Sequence, residues 1–316
     1  MPPMDTYTEE TRAWLDRRFE ETSPDGVYVA HQPIYGFDAG HCEPSLLPRY
    51  VRTVEIMRAL AQLRFRSCVD VGAAEGYKAE LVRRLFGAEV MATDLSENAC
   101  ERAREIFGLS ARAADLHELP FDDGEFDVAL CSETLEHVTD FRSALTELLR
   151  VARTAVVITV PHEPEDLVAE NRSSGEMHAH INSFGLDSLD FLEREAGLRV
   201  VARPIVSPLT AAAAGLVEGS RRELREPADR HRTWNRLARV NNAIAPITAR
   251  LFGERAESAL LEADGPACAR LRVHRALLFV VLKDPAAWSD RPARRISARE
   301  VVEFRVPFHY IRKGSP

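Results

Sequence analysis

The chain has 316 residues, of which 45% are hydrophobic, and its formal net charge is −8. That length allows one large domain with an appended piece, or two unequal domains. No apolar run reaches the roughly 18 residues of a membrane-spanning helix. The acidic balance disfavours a nucleic-acid partner, although a local basic groove can coexist with an acidic surface.

The first ten residues and the cysteines indicate the compartment. The opening MPPMDTYTEE is acidic and polar, which does not suit a signal peptide. The five cysteines are scattered and form no CxxC pair, as is typical of reduced thiols. We therefore expect a cytoplasmic protein without disulfides or a zinc knuckle.

Residues 1–64 are expected to form a helical cover segment. Helical patterns occupy residues 8–22 and 50–63, separated by a stretch rich in Gly, Pro and aromatic residues. Tyr28, His31, Tyr35 and His41 in that stretch either close over a bound cofactor, line an acceptor pocket, or pack as ordinary surface-loop side chains.

From residue 65 onward, short apolar runs alternate with helical patterns. Helices are predicted at 75–86, 96–107, 140–152 and 186–196. This alternation predicts an α/β fold with a doubly wound, mostly parallel sheet covered on both faces. The predicted strands are 67–71, 88–93, 126–131, 155–160, 198–206 and 276–284.

Residues 208–270 interrupt this rhythm and predict a mostly helical insertion before the last strand. It forms either a cap over the substrate site, or a packing appendage or oligomer contact, so a homo-oligomer stays open. The α/β core is then 65–207 plus 271–284. The C-terminal tail is 285–316, with a strand-like pattern at 301–311.

A glycine loop joins the first core strand to its helix. The strand ends in Asp70, and Gly72 and Gly76 follow before the helix, which lets a ligand approach the backbone. Alone, this loop fits a dinucleotide site or a structural turn equally well. Asp94 ends the next strand about 20 residues on, where an acid can bind a ribose diol; a turn or helix-cap acid is the alternative.

The order of four motifs resembles the class I S-adenosylmethionine-dependent methyltransferases, in the type 11 group that includes the ubiquinone-pathway enzymes. The motifs are VDVGAAEGY, the acid Asp94, AADLHELPFDDGEFD and SETLEHV, within about residues 66 to 200. The resemblance implies a Rossmann-like seven-stranded sheet and S-adenosylmethionine as the cofactor. The chain departs from the family at Ala74, which replaces a glycine. We expect this alanine to be tolerated if the backbone there stays at negative φ.

By position in these motifs, the resemblance assigns the cofactor contacts. It implies that Asp70, Gly72 and Gly76 hold the methionine part, Asp94 and Leu95 the ribose, and Asp115 and Leu116 the adenine, with Ser132 near the sulfonium.

A cluster of acids and histidines follows the fourth and fifth strands. If a helix begins near Ser132, Glu133, Glu136 and His137 share one face. The set is similar to the Glu-x-x-Glu-His…His ligands of metal-dependent O-methyltransferases. It implies that Glu133, Glu136, His137 and His180 bind a divalent ion, Mg²⁺ or Mn²⁺, with His178 as the rival fourth ligand.

The same residues allow a metal-free interpretation, because Leu-Glu-His also occurs in relatives without metal. His137 or His180 is then the candidate general base. We expect an O-methyltransferase acting on a hydroxyl of a small molecule such as a sugar or natural product. The alternatives are an RNA 2′-O-methyltransferase, a metal-free N- or C-methyltransferase, or a binding protein without turnover.

Overall fold

A computed structural model describes residues 4–22, 26–35, 46–205, 258–259, 261–263 and 276–304. These residues include seven strands in one sheet. The strands are β1 (Ser67–Val71), β2 (Glu89–Asp94), β3 (Ser110–Ala113), β4 (Phe126–Ser132), β5 (Ala152–Pro161), β6 (Arg199–Ile205) and β7 (Ala276–Leu282).

The sheet has the order β3-β2-β1-β4-β5-β7-β6. Neighbouring strands from β3 to β5 are parallel, whereas β7 runs antiparallel to both β5 and β6. The strand order reverses between β1 and β4, so their carboxyl ends open a crevice there, where doubly wound sheets bind ligands. The predicted α/β class and the mostly parallel seven-stranded sheet are confirmed.

Helices cover both faces of this sheet. Every residue of β7 is buried, as expected for a strand between two helical layers. Alternate strand residues face two separate cores: Cys68 and Val128 belong to one, Val69 and Ala129 to the other. The helices are α1 (Met4–Phe19), α2 (Leu46–Leu60), α3 (Tyr77–Phe86), α4 (Glu97–Phe107), α5 (Phe141–Val151), α6 (Glu165–Ser174), α7 (Asp190–Ala196) and α8 (Ala298–Val302), with a 3-10 turn at Pro285–Ala287.

The structure differs from the sequence-based expectations in three places. Residues 133–139 form bends and turns and not the helix considered near Ser132. Glu133 has φ +58°, outside the right-handed helical region, so a helix cannot begin there. The strand expected from residue 301 begins inside α8, which Ser297 and Glu300 start with a capping box. Strand β3 and helix α6 were not predicted at all.

Most of the predicted insertion at 208–270 and the tail beyond residue 304 lie outside the described residues. Residues 258–259 and 261–263 are helical, and Leu261 is buried against the main core. Over the described part of the chain, no helix has both the length and the apolar character needed to cross a bilayer. Cys68, Cys100 and Cys131 are free and buried.

Candidate active site

The glycine loop forms a tight turn between β1 and α3. Gly72 has φ +74° and Gly76 has φ +82°, a region that glycine enters without strain. A Cβ on Gly72 would lie 2.2 Å from Thr134 Oγ1, and one on Gly76 would lie 2.8 Å from Leu109 Cδ1. Both glycines are therefore needed for conformation and for space. Tyr77, next in the chain, is fully buried and packs in the core.

Ala74 lies in the left-handed region, at φ +49°. The negative φ on which the tolerance of alanine depended is therefore not found here. The Ala74 N–H donates to Asp94 Oδ2 at 2.9 Å, and this bond helps to hold the turn. A non-glycine residue there costs about 1–2 kcal/mol.

Asp94 ties the glycine loop to the end of β2. It is 8% exposed and accepts a second hydrogen bond, from the Ser96 N–H to Oδ1 at 3.0 Å. Burial raises the pKa of Asp94, against the lowering effect of the Ser96 and Ala74 N–H groups. A carboxylate accepts about four hydrogen bonds, so these two contacts leave acceptor capacity for a hydroxyl pair.

Asp70 is buried at the carboxyl end of β1. Neither of its side-chain oxygens has a hydrogen-bond partner of normal geometry among the described residues. Burial raises the pKa of Asp70 to about 6, and the positive charge of Lys78 acts against that shift. Its two oxygens are therefore available to a cationic or hydrogen-donating group of a ligand.

The residues predicted to meet the adenine and the sulfonium also border this edge. Leu116 is buried, whereas Asp115 accepts hydrogen bonds from both the backbone N–H and Nδ1 of His117, each at 2.8 Å. Ser132 Oγ lies 2.8 Å from Thr159 Oγ1 at the end of β4. Leu95, by contrast, is partly exposed.

The N-terminal segment lies over the glycine loop. The His31 N–H donates to Glu75 Oε1, and Gln32 Nε2 donates to the Ala73 carbonyl at 3.1 Å. Burial lowers the pKa of His31 to about 2, reinforced by nearby arginines, so its ring is neutral. Sequence reasoning missed the fully buried Glu75, whose role depends on a partner 44 residues away.

Two aromatic residues of that segment make contacts within the protein. Tyr35 Oη donates to the Tyr28 carbonyl at 3.1 Å, and the Arg102 guanidinium lies 4.0 Å from the Tyr28 ring centroid. His41 lies outside the described residues.

Helix α1 contacts the turn after Asp94. Ser96 Oγ donates to Asp16 Oδ1 at 2.5 Å, and Asn98 Nδ2 donates to the Asp16 carbonyl at 3.0 Å. This places α1 beside the proposed ribose position.

A second group of functional side chains follows β4 and β5. One potential ligand atom from each of Glu136, His137 and His180 lies within 4.8 Å of the others. Three of the four predicted metal ligands therefore come together, although they do so from turns and not from a helix face.

Glu136 is fully buried, and neither of its carboxylate oxygens has a hydrogen-bond partner among the described residues. Burial raises the pKa of Glu136 well above its usual value, and the charge of Glu133 raises it further. Burial also lowers the pKa of His137 well below its usual value, with the neighbouring His178 and His180 contributing. The cluster therefore combines an unsatisfied acid with a neutral imidazole.

Glu133 is not part of this three-residue group. Its Oε2 lies 3.3 Å from Arg52 Nε, and the two side chains are about four-fifths buried. The predicted fourth ligand is therefore an ion-pair partner of α2 in this structure.

His178 is also outside the group. Its ring stacks on His137 with a centroid distance of 3.7 Å and an interplanar angle of 11°, and Trp14 of α1 lies 4.9 Å from its other side. Between the two rival loop histidines, the structure brings His180 into the cluster.

Glu163 was not assigned a role from the sequence. Its Oε2 lies 2.8 Å from His180 Nδ1. The one feature of the sequence that could have singled out Glu163 is its place just after the end of β5. Its partner, His180, follows only 17 residues later.

A cavity of about 270 Å³ lies between α1 and the segment that carries these histidines. Its wall includes Tyr7 from α1, and Met177 and Ile181, each of which adjoins a histidine of the loop.

Comparison with known proteins identifies the core. A methyltransferase domain family matches residues 69–159. The chloroplastic tocopherol O-methyltransferase of Arabidopsis thaliana is 27% identical over 167 residues, which are 46% of this chain and 48% of that protein. The sarcosine/dimethylglycine N-methyltransferase of Halorhodospira halochloris is 32% identical over 126 residues, 36% of this chain and 45% of that protein.

A solved structure shares the fold. Geranyl diphosphate C-methyltransferase from Streptomyces coelicolor A3(2), in complex with Mg²⁺, geranyl diphosphate and S-adenosyl-L-homocysteine, matches with a TM-score of 0.50 at 19% identity. The match covers 90% of this chain and 100% of that chain.

This chain spans about half the length of the curated relatives that it matches. Their names differ in whether oxygen or nitrogen accepts the methyl group, so similarity does not select the acceptor. They agree on methyl transfer, as the glycine loop and the ordered acids at the sheet edge predict. Residues 69–159 therefore form a class I S-adenosylmethionine-dependent methyltransferase domain of the type 11 group.

Proposed function

We propose that this protein transfers a methyl group from S-adenosylmethionine to a hydroxyl of a small molecule, with a divalent metal bound by Glu136, His137 and His180. The observation that carries the proposal is the convergence of these three side chains at the carboxyl end of the sheet. That is the edge at which doubly wound sheets bind their ligands.

The cofactor pocket fits S-adenosylmethionine. The two unpartnered oxygens of Asp70 suit the ammonium of the methionine part, and the spare acceptor capacity of Asp94 suits a ribose diol. Leu116 offers an apolar contact for the adenine. The cofactor supplies the electrophilic methyl group, so the protein has only to align the acceptor and remove its proton.

The acid and histidine cluster fits a divalent metal. Two ligands held about 2.2 Å from one ion are at most about 4.4 Å apart, close to the separation of at most 4.8 Å found here. The buried, unpartnered oxygens of Glu136 need a cation to offset their burial. Such a metal lowers the pKa of a coordinated hydroxyl and thereby makes it a better nucleophile.

The cavity beside the loop histidines supports a small acceptor. Its volume of about 270 Å³ is just below the usual range for small-molecule pockets of about 300–1,000 Å³. Tyr7, Met177 and Ile181 form apolar parts of its wall, and Glu10 and Arg172 form charged parts. The net charge of −8 gives no support for an RNA substrate.

A metal-free reaction is the second candidate. Burial lowers the pKa of His137, so its ring is neutral at physiological pH and carries the lone pair that a general base uses. A relative that methylates sarcosine and dimethylglycine makes nitrogen a reasonable acceptor.

Metal removal separates the two candidates. The purified protein, treated with a chelator, is assayed for S-adenosylhomocysteine release with a panel of catechols, sugars and amines, with and without added Mn²⁺ or Mg²⁺. We expect turnover of a diol only with metal. We also expect Glu136→Gln to lose transfer while it binds S-adenosylmethionine normally, with the exposed Glu195→Gln as the control. Full activity of the chelated protein would contradict the metal proposal.

A further inference from the structure

Glu163 lies two residues after the end of β5 and contacts the histidine that completes the proposed metal cluster. We infer that Glu163 is a positioning residue that fixes His180 in the tautomer and orientation needed for metal binding. This inference rests on the metal site of the proposed function. The observation behind it is the distance of 2.8 Å between Glu163 Oε2 and His180 Nδ1.

The hydrogen bond determines which nitrogen of His180 is available. An ionised carboxylate only accepts hydrogen bonds, so the imidazole Nδ1 must carry the proton. In a neutral ring, the other nitrogen, Nε2, then has the free lone pair. Glu163 therefore leaves Nε2 as the single nitrogen of His180 that is able to bind a metal.

His137 shows the same arrangement. Its Nδ1 lies 3.2 Å from the Ala179 carbonyl oxygen, which is likewise only an acceptor. Its Nε2 lies 3.8 Å from Glu136 Oε1 and so faces the other ligand of the cluster. Both histidines thus have Nδ1 engaged with an oxygen and Nε2 left for an ion, a pattern typical of metal-binding histidines.

The backbones of Glu163 and His180 are held by separate hydrogen bonds. Ser183 Oγ donates to the Glu163 carbonyl at 3.0 Å, and Asn171 Nδ2 donates to the His180 carbonyl at 3.1 Å. The two side chains are 28% and 31% exposed, so solvent screens their interaction less than that of a fully exposed pair. The backbones on both sides of the contact are therefore fixed, and its two side chains are not free surface groups.

The charge of Glu163 has a second effect. A carboxylate on Nδ1 raises the basicity of the imidazole and strengthens its bond to a cation. Glu163→Gln keeps the shape and can still accept a hydrogen bond, but it removes the charge. Glu163→Ala removes both, which lets the ring rotate and either nitrogen carry the proton.

The test is Mn²⁺ binding by isothermal titration calorimetry to the full chain after chelator treatment. We expect Glu163→Ala to bind Mn²⁺ about 10- to 100-fold more weakly than wild type, with Glu163→Gln between them. Glu165→Gln is the matched control, because it removes an exposed carboxylate that lies two residues after Glu163 and pairs with Arg172 instead of His180. It should bind Mn²⁺ like wild type.

A second readout follows the tautomer directly. In ¹⁵N-histidine NMR spectra of the metal-free protein, His180 should be protonated at Nδ1 in wild type and in Glu165→Gln. Glu163→Ala should show Nε2 protonation in part, while the circular dichroism spectrum stays unchanged. A purely structural role of Glu163 would leave the tautomer as in wild type.

The outcomes separate the two hypotheses. If wild type fails to bind Mn²⁺, the proposed metal site is wrong and this inference falls with it. If wild type binds Mn²⁺ and both Glu163 variants bind it as tightly as wild type, the metal site stands and the positioning role is overturned.

Discussion

Gly72→Ala should destabilise the protein more than an ordinary alanine substitution at positive φ. The left-handed backbone alone costs a non-glycine residue about 1–2 kcal/mol. The new Cβ would also lie 2.2 Å from Thr134 Oγ1 and 3.0 Å from Thr134 Cγ2. Rotating the threonine exchanges one overlap for the other, and such overpacking costs a further 1–3 kcal/mol or so.

Gly87→Ala isolates the backbone cost, because Gly87 has φ +65° and nothing within 4 Å of its added Cβ. Urea unfolding followed by circular dichroism should therefore show a loss of about 1–2 kcal/mol for Gly87→Ala and about 2–5 kcal/mol for Gly72→Ala. Adding Thr134→Ala should reduce the excess of Gly72→Ala, as a double-mutant cycle measures. Equal losses at the two glycines would refute the steric reasoning.

Three further results are expected. Asp94→Asn should weaken S-adenosylmethionine binding in calorimetry, and unchanged affinity would contradict the ribose assignment. The same substitution should destabilise the fold by about 1–3 kcal/mol, because an amide NH₂ then opposes the N–H of Ala74 or Ser96. Ala74→Gly should stabilise the fold by up to about 1 kcal/mol in the same urea assay, since it relieves the positive φ. The hydrogen bond to Asp115 raises the pKa of His117, so its stabilising effect is present below the unfolded pKa of 6.5 and is lost as the pH rises through the folded pKa. His117→Gln should therefore cost more stability at pH 5.5 than at pH 8.5, and an equal cost at both would count against the pair.

The sequence predicted the long, strongly patterned elements and missed the short ones. Strands β1, β4 and β5 are buried apolar runs, and such runs can be recognised from the sequence alone. Strand β3 has only four residues, SARA, two of them exposed, so it lacks that pattern. Its pairing with β2 makes it a strand, and local sequence does not encode that pairing.

The active-site cluster was predicted in part, for a similar reason. Residue types and spacing selected Glu136, His137 and His180, and the sheet topology brings their chains to one edge. The helix expected at Glu133 failed because the residue adopts a positive φ, which no local pattern indicated. Its ion pair with Arg52 joins residues 81 positions apart and depends on how α2 packs.

Helix α1 connects the two halves of the active site. Asp16 bonds the turn beside Asp94, while Trp14 lies against His178, which in turn stacks on His137. A helix moves nearly as a rigid body, so a displacement of α1 would alter its contacts on both sides. We therefore expect binding of the cofactor and of the acceptor to be linked, with each ligand changing the affinity for the other by the same factor.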